Sequence, residues 1–433
     1  MTTQKQKPEP LSHDQCTRLA YDILKRNDRG GYTVPNHSVY PFQWNWDSAF
    51  VAMGFACFDT ERAWAELETL FKGQWSDGMV PSIVFHSDAD HYYPGPSAWG
   101  TSHQPPTTGI TQPPVAATAA RKIVESAHDH KQALRKASAI FDSLFASHQW
   151  WHTIRDPDQT GLVTVVHPWE TGRDNSPDWD APLSAITPRL DVSGLRKDNK
   201  IVDPSERPTD LFYNRVMTLV EEAQTLHWDG LAVARNLSMR VCDLGIQSIL
   251  LRADKDLLAL AGLIGRAQEA SHLKAWIDQS ANAFAKLKAQ DGSYRSLDLI
   301  TGQLAPCATS ASFLPLYARA ATQDDCRVMV DLLSQWQKQT PFLVPSSDPY
   351  HESYDARRYW RGPLWTVVNR MIYDGLMHYG CKDVADQVKS KNAECILNHG
   401  FREAFDPRTG EGLGGHDFSW TAAMWLEWLS VVA

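Results

Sequence analysis

The sequence predicts an all-α protein, an (α/α)6 barrel whose long loops form a lid over a central pocket. Apolar residues recur at helical spacing in one segment after another, and clear strands of alternating polarity are scarce. The connections alternate between tight polar turns and long loops rich in Pro, Gly and Trp. A ring of antiparallel helix pairs explains this alternation, because it gathers the short turns at one end and the long loops at the other, where they build a concave site.

The helical segments follow one another along the whole chain. In the segment 130–148, for example, Leu134, Ile140 and Phe141 fall on one face of a helix. The predicted helices are 11–27, 47–58, 60–74, 112–127, 130–150, 209–226, 230–250, 254–264, 270–288, 309–321, 323–337, 364–379, 382–398 and 417–431. Between them, residues 162–167 are a candidate for a short strand.

Long connections separate several of these helices. They are 28–46, 75–111, 151–208, 338–363 and 399–416. Long loops in a compact domain usually carry function. Because no Ser/Gly-rich linker divides the chain, we expect residues 1–433 to form a single domain, with 1–10 as a disordered lead-in and 151–208 as a lid insertion.

Composition and charge exclude several classes of partner. The 433 residues include 42 Lys and Arg against 51 Asp and Glu, so the net charge is −9 and a basic face for nucleic acid is not expected. The longest apolar stretches, 50–58 and 257–264, fall far short of the ~20 residues that span a bilayer. We therefore expect a small-molecule partner, with no nucleic acid and no membrane. The oligomeric state stays open, a homo-oligomer included.

The seven cysteines are odd in number and scattered, which matches neither a disulfide framework nor a zinc site. We interpret them as reduced core residues. The N-terminal segment has no apolar core that a secretion apparatus could read, so a cytoplasmic location is expected. No phosphate-binding or dinucleotide motif occurs, and His128-Asp129-His130 is interpreted as a turn, so we expect neither a cofactor nor a metal.

Seventeen tryptophans are an unusual number for this length, and many stand beside carboxylates. The segment His167–Asp180 alone holds four carboxylates and two indoles, and Gly172 and Pro177 make it a turn-rich loop. A second concentration, Phe401–Gly415, contains Glu403, which no turn pattern explains. Two separated carboxylates on aromatic-rich loops suit glycoside hydrolysis, in which one protonates the leaving oxygen and the other activates water or attacks the sugar.

A structural alternative stays open at this point. Asp and Asn side chains also cap helices and form local turns. The tryptophans would then only line the crowded middle of a helical barrel, and the acids would neutralise Arg173, Arg361 and Arg402.

Six motifs occur in a fixed order from about residue 36 to the C-terminus. They are Gln43–Ser48, Gly78–Pro81, Thr107–Pro113, Glu170–Pro177, Tyr359–Trp365 and Glu411–Gly415. In these motifs the chain resembles glycoside hydrolase family 63 and, within it, the compact bacterial hydrolases of glucosylglycerate and mannosylglycerate. The resemblance implies an (α/α)6 barrel and a metal-independent, inverting hydrolysis.

The resemblance also implies roles for single residues. The acid motif Glu-Ser/Thr-Gly-x-Asp places the general acid at Asp174, and Glu403 matches the general base. The residues that match the sugar pocket are Tyr40, Trp44, Trp46, Asp47, Gln112, Tyr359, Trp360 and Trp365. Tyr92 lies in a loop that resembles the family's mobile lid. Arg207 and Tyr213 resemble an Arg and a Tyr that bind the glycerate end in the glycerate-specific relatives.

The expected function is that of an inverting α-glycosidase that hydrolyses glucosylglycerate, mannosylglycerate or both. Two alternatives remain: an inverting α-glucosidase for a neutral disaccharide, and a sugar-binding protein without catalysis on the same barrel. For Arg207 the competing interpretation is a surface ion pair with Glu206 or Asp210, with Tyr213 packed in the following helix.

Overall fold

Residues 9–89 and 92–430 are described by the structure, a computed structural model of the chain. The helices are α1 (His13–Asn27), α2 (Asn45–Ala56), α3 (Thr60–Phe71), α4 (Pro96–Trp99), α5 (Ala116–Ser126), α6 (His130–Thr153), α7 (Asp180–Ser184), α8 (Asp210–Thr225), α9 (Gly230–Asn236), α10 (Leu244–Ile264), α11 (Ala267–Ala283), α12 (Leu314–Tyr317), α13 (Gln323–Trp336), α14 (Thr366–His378), α15 (Lys382–His399) and α16 (Ser419–Met424). Short antiparallel ribbons join β1 (Gln43–Trp44) to β2 (Ile83–Val84), β3 (Val241–Cys242) to β4 (Leu297–Asp298), and β5 (Ala404–Phe405) to β6 (Gly412–Leu413). Within the described ranges no helix is long and apolar enough to cross a membrane. Most of the lead-in predicted for 1–10 lies outside the described residues.

Burial along two successive helices separates an inner from an outer layer. Every residue of α2 is buried, and beyond its first turn its sequence is apolar around the whole circumference. In contrast, α3 buries one face, which includes Ala63, Trp64, Leu67 and Leu70, and leaves the other face partly exposed. A helix that is apolar on all sides lies in the interior, and an amphipathic helix covers it from outside.

Six helices form a closed inner ring. In this ring α2 packs against α5, α5 against α10, α10 against α12, α12 against α14, α14 against α16, and α16 against α2 again. A 3-10 turn, Ser310–Phe313, precedes α12, and a π turn, Trp425–Leu429, follows α16. The outer helices α1, α3, α6, α11 and α15 pack against α16, α2, α5, α10 and α14. The sixth, α13, reaches the ring through an edge-to-face contact between Trp336 and Phe313. The predicted (α/α)6 barrel is confirmed.

Short turns and long connections alternate around this ring. The connections that lead from an inner to an outer helix are short: 57–59, 127–129, 265–266, 318–322 and 379–381. The connections that lead back are long and hold the strands and the remaining helices: 28–44, 72–115, 154–243, 284–313, 337–365 and 400–418. Each inner helix therefore starts directly after a long connection, and the N-termini of the inner helices face the end of the barrel where the long loops lie.

The longest connection, 154–243, forms a cap at the long-loop end. It contains α7, α8 and α9, and a second apolar core with Trp99, Trp179 and Val216 lies beneath it. The helix predicted over 209–226 exists as α8, but it packs in this cap against α7 instead of joining the ring.

The prediction of one helix over 230–250 is wrong. The chain leaves the helical path after α9 because Val241 pairs with Val165 through two backbone hydrogen bonds of 2.8 and 3.0 Å. Asp243 then caps a new helix, α10, which continues through the break predicted near residue 252. The strand predicted over 162–167 reduces to this single bridge at Val165.

Candidate active site

A cavity opens at the long-loop end of the barrel. The side chains singled out in the sequence that line it are Tyr40, Trp44, Trp46, Asp47, Tyr92, Gln112, Asp174, Arg207, Tyr213, Tyr359 and Glu403. They come from both ends of the chain, since Tyr40 and Glu403 are 363 residues apart in sequence and 2.8 Å apart in space. The long connections therefore assemble one site.

The four carboxylates of the loop His167–Asp180 have different surroundings. Three of them are held in ion pairs with arginine. The pairs are Glu170 with Arg155, Asp178 with Arg173, and Asp180 with Arg361. Asp174 forms no ion pair with any residue that the structure describes, and its side chain faces the cavity. The structural alternative from the sequence thus holds for Arg173 and Arg361, whereas Arg402 makes no ion pair in the part of the chain that the structure describes and Glu170 pairs with Arg155 instead. Asp174 is set apart from these three acids.

The surroundings of Asp174 favour its neutral form. Burial raises the pKa of this carboxyl to about 7, the negative charge of Glu403 acts in the same direction, and the positive charge of Arg207 opposes them. A carboxyl group with a pKa near 7 keeps its proton in about half of the molecules in neutral solution and can donate it to a leaving group.

A glycine lets the acid loop lie flat against the floor of the cavity. Gly172 has a φ of +67°, and a Cβ added there would stand 2.5 Å from the indole of Trp46. Trp46 sits at the start of α2 and meets the edge of Trp420, with ring centroids 5.7 Å apart. The close contact between Gly172 and Trp46 fixes the position of Asp174, two residues further on.

Glu403 is held at the start of β5. Its carboxylate accepts hydrogen bonds from the hydroxyls of Tyr40 at 2.8 Å and Tyr359 at 3.1 Å, and from the backbone N–H of Gly415 at 3.0 Å. It is buried and makes no ion pair in the described part of the chain. Three donors directed at one carboxylate fix its orientation, which is what a base needs.

Asp47 is the third carboxyl group of the cavity. It lies in the first turn of α2, and burial together with the charges of Glu403 and Asp174 holds its pKa well above the usual range. Next to it, the side-chain oxygen of Gln112 accepts the backbone N–H of Trp46 at 3.3 Å. A protonated carboxyl at this position can donate a hydrogen bond to a hydroxyl of a sugar.

A second group of charges surrounds Asp198. Its carboxylate accepts hydrogen bonds from Arg207 at 2.8 Å, from Arg196 at 2.9 Å and from the hydroxyl of Tyr213 at 3.1 Å. Arg207 also donates to the hydroxyl of Tyr40 at 3.0 Å. Because Tyr40 in turn donates to Glu403, a chain of hydrogen bonds links Asp198 through Arg207 and Tyr40 to the Glu403 carboxylate.

The surface ion pairs considered for Arg207 in the sequence are absent among the described residues. Glu206 pairs with Arg357 instead, and Asp210 pairs with Arg196. Arg207 is buried and places its guanidinium over the ring of Tyr359, 4.2 Å from the centroid. Arg207 and Tyr213 thus both line the cavity.

Trp360 and Trp365 do not line the cavity, contrary to the expected contact with sugar. Their rings stack on each other with centroids 3.9 Å apart. They support the wall from behind. The ring centroid of Trp360 lies 6.2 Å from that of Trp46, and the ring centroid of Trp365 lies 5.1 Å from that of Tyr359. Trp360 and Trp365 therefore support Trp46 and Tyr359, which do line the cavity.

Several residues of the cavity wall were not assigned to the site from the sequence. They are Trp99, Trp169, Lys197, Asp198, Ile201, Phe418 and Trp420, among others. The aromatic ones share the richness in tryptophan that marks the long loops, which could have signalled them. Lys197 and Asp198 lie in a charged stretch that looks like a solvated turn. In the described residues, no group of three or more His, Cys, Asp and Glu side chains is arranged to hold a metal ion.

Comparisons with known proteins agree with this geometry. A family model described as the mannosylglycerate hydrolase MGH1-like glycoside hydrolase domain matches residues 40–421. Mannosylglycerate hydrolase MGH1 of Selaginella moellendorffii is 45% identical over 418 residues, which are 96% of this chain and 86% of the relative. The glucosylglycerate hydrolase of Mycolicibacterium hassiacum is 33% identical over an alignment 434 positions long, which covers 96% of this chain and 97% of the relative.

The crystal structure of a family 63 mannosylglycerate hydrolase from Thermus thermophilus in complex with Tris and D-glycerate has a TM-score of 0.91. That protein is 42% identical, and the match covers 95% of this chain and 99% of the other. The resemblance deduced from the six motifs is confirmed, and the alternative of a binding protein without catalysis is set aside. This chain belongs to the MGH1-like glycoside hydrolases of family 63.

Proposed function

We propose that this enzyme hydrolyses an α-glycoside whose aglycone is glycerate, with mannosylglycerate and glucosylglycerate as the candidate substrates. The proposal rests on the way in which the charged groups of the cavity fall into two groups. Asp47 has Glu403 and Asp174 as its main charged neighbours in the cavity, whereas Arg207 is grouped with Asp198 and Tyr213. The first group suits a sugar and its reacting bond, and the second suits a carboxylate. The names of the relatives and the D-glycerate bound to the Thermus enzyme support the same substrate class.

Two carboxyl groups carry the reaction in this proposal. Asp174 donates its proton to the glycosidic oxygen while the bond from that oxygen to the anomeric carbon breaks, and glycerate leaves. Glu403 takes a proton from a water molecule that attacks the anomeric carbon from the opposite face, so an α-linked substrate releases a β-sugar. Asp174 ends ionised and Glu403 ends protonated, and proton exchange with solvent restores both.

The sugar subsite is assigned to the floor of the cavity. Trp46 offers an apolar face to the C–H surface of the ring, and Asp47 and Gln112 offer polar groups to its hydroxyls. Trp44 and Tyr92 complete the wall, since their rings meet edge to face with centroids 5.5 Å apart. Aromatic faces thus alternate with polar and charged groups in the pocket, a combination that can orient a sugar ring.

We propose that part of the segment 151–208, within a single domain, serves as a lid. Lys197, Asp198 and Ile201 lie in this segment and line the cavity. A closed lid excludes water, which strengthens the interaction of Arg207 with a carboxylate.

The cytoplasm is the location we propose for this reaction. All seven cysteines are free in the structure. Free thiols are typical of a compartment in which glutathione and thioredoxin keep proteins reduced.

The substrate test compares four compounds: mannosylglycerate, glucosylglycerate, a neutral α-linked glucose disaccharide and an uncharged aryl α-glycoside. We expect free sugar from one or both glycerates. Arg207→Ala should lower kcat/KM for that glycerate glycoside by a factor that corresponds to about 2–4 kcal/mol of transition-state free energy. It should affect the aryl glycoside much less, because only the first substrate presents a carboxylate. The matched control is Arg235→Ala, which removes an exposed ion pair with Asp158. Equal losses on both substrates, or efficient cleavage of the disaccharide alone, would favour the neutral-disaccharide alternative.

Proton NMR during the first minutes of hydrolysis tests the stereochemistry. The β-anomer should appear first and then equilibrate with the α-anomer. Initial release of the α-anomer would mean a retaining reaction and would contradict the role given to Glu403.

A further inference from the structure

We propose that Cys326 and Cys381 form a dithiol modification site, which peroxides convert into an intramolecular disulfide. The two sulfur atoms lie 3.4 Å apart although the residues are 55 positions apart in sequence. A disulfide bond is about 2.05 Å long, so closure requires an approach of little more than 1 Å, within reach of side-chain rotation.

The fold itself brings the two thiols together. Cys326 lies in the first turn of α13, and Cys381 lies in the short turn 379–381 before α15. The hydroxyl of Tyr379 donates a hydrogen bond of 2.6 Å to the carbonyl of Ala321, which ties this turn to the one before α13. The contact is therefore held by the neighbouring backbone and does not depend on the two sulfurs alone.

The two cysteines differ in access. Cys381 is half-buried and can meet a small oxidant from solvent, whereas Cys326 is buried behind it. Burial raises the pKa of the Cys326 thiol to about 12, so it is seldom ionised and is a poor nucleophile for the first step. Its sulfur contact with Cys381 makes it the partner of the second step. No other pair of cysteines is in sulfur–sulfur contact within residues 9–89 and 92–430.

The chemistry balances with hydrogen peroxide as the oxidant. The thiolate of Cys381 attacks one peroxide oxygen, the O–O bond breaks, and a sulfenic acid and hydroxide form. The sulfur of Cys326 then attacks the sulfenic sulfur, the S–O bond breaks, and its thiol proton leaves with the oxygen as water. In total two thiols and one peroxide give one disulfide and two waters.

The position of the bond determines its effect. Both thiols lie at the end of the barrel where the short turns are, opposite the cavity, and the bond would join the outer helices α13 and α15. Such a cross-link removes freedom from the unfolded chain and raises stability. Because no residue of the cavity wall moves, hydrolysis of the glycoside should continue at the same rate.

The test treats the purified full-length enzyme with increasing hydrogen peroxide and analyses a trypsin digest without reduction. Peptide 320–327 should become linked to peptide 371–382, the intact mass should fall by 2 Da, and dithiothreitol should reverse both changes. The melting temperature should rise by about 2–8 °C while kcat/KM changes less than twofold. Cys381→Ser and Cys326→Ser should each abolish the cross-link and the rise in melting temperature. Cys57→Ser, at an exposed cysteine, is the matched control that should retain both.

Two outcomes would overturn the proposal. One is oxidation of Cys381 to a sulfenic or sulfinic acid, a gain of 16 or 32 Da with no linked peptide, since the sulfurs then do not meet. The other is a 2 Da loss that persists in Cys381→Ser, since the bond then forms elsewhere. Because Cys381 is half-buried, its serine variant keeps the test valid even if the substitution at the buried Cys326 prevents folding.

Discussion

Replacing Asp198 by asparagine would remove the charge that holds Arg207 in place. The carboxylate of Asp198 accepts hydrogen bonds from Arg207, Arg196 and Tyr213 at once. An asparagine keeps one acceptor oxygen, and its amide N–H groups would face the N–H groups of the guanidiniums. Arg207 would then lose its counter-charge and its fixed orientation.

The size of the effect follows from the burial of the partners. Removing one member of a buried ion pair lowers the free energy of unfolding by about 3–5 kcal/mol. The side chains of Arg207 and Arg196 are only 6% and 3% exposed, but Asp198 is 14% exposed and Arg196 keeps its pair with Asp210. We therefore expect a smaller loss of stability, about 2–4 kcal/mol. A loss of the same size in the binding of the substrate carboxylate by Arg207 corresponds to roughly a 30- to 1000-fold loss of kcat/KM on the glycerate substrate.

The assay measures kcat/KM on the better glycerate glycoside and on an uncharged aryl glycoside, together with the melting temperature. The uncharged substrate should lose less, although it should lose something, because Arg207 also orients Tyr40 and through it Glu403. Asp191→Asn, at an exposed aspartate of the same cap, is the control and should leave both rates unchanged. A loss below threefold on the glycerate glycoside by Asp198→Asn would refute the view that this carboxylate positions Arg207.

The remaining predictions concern the catalytic groups. Asp174→Asn and Glu403→Gln should each lower kcat by at least about a thousandfold with an unchanged circular dichroism spectrum, and near-normal turnover in either would remove that residue from its role. Because Asp174 must be protonated to act and its pKa is raised to about 7, kcat/KM should fall about tenfold per pH unit above that value; a flat profile up to pH 9 would contradict the assignment. Gly172→Ala should lower both kcat and the melting temperature, because the added Cβ meets Trp46 and the backbone there has a positive φ; unchanged kinetics would show that the loop tolerates the shift.

The barrel could be predicted because its signals are local. An inner helix such as α2 is apolar on all sides, an outer helix such as α3 is apolar on one face, and both patterns are visible in the sequence. The alternation of short and long connections, also visible in the sequence, predicted that the short turns gather at one end of the barrel and the long loops at the other. The break within 230–250 could not be predicted in this way, because it depends on the pairing of Val241 with the distant Val165.

The candidate site also contains residues that the sequence could identify and residues that it could not. Asp174 stands in one of the six ordered motifs, and Glu403 stands in the segment Phe401–Gly415, where no turn pattern explains it. The structure places both on one cavity. Asp198 lies between Lys197 and Lys200, a composition typical of a solvated turn. Asp198 nevertheless forms an ion pair with the buried Arg207, and no spacing in the sequence indicates this tertiary contact.

The direction of the inner helices has a consequence for inhibitors. The N-terminus of a helix carries about half a positive charge, and the N-termini of α2, α5, α10 and α14 lie at the end of the barrel where the cavity opens. The barrel alone would therefore repel the cationic sugar that forms as the glycosidic bond breaks, and the carboxyl groups must reverse this field. An amine placed at the anomeric position of a sugar mimic should bind through Glu403 and Asp174, and its affinity should fall far more than that of a neutral mimic when Glu403 is neutralised.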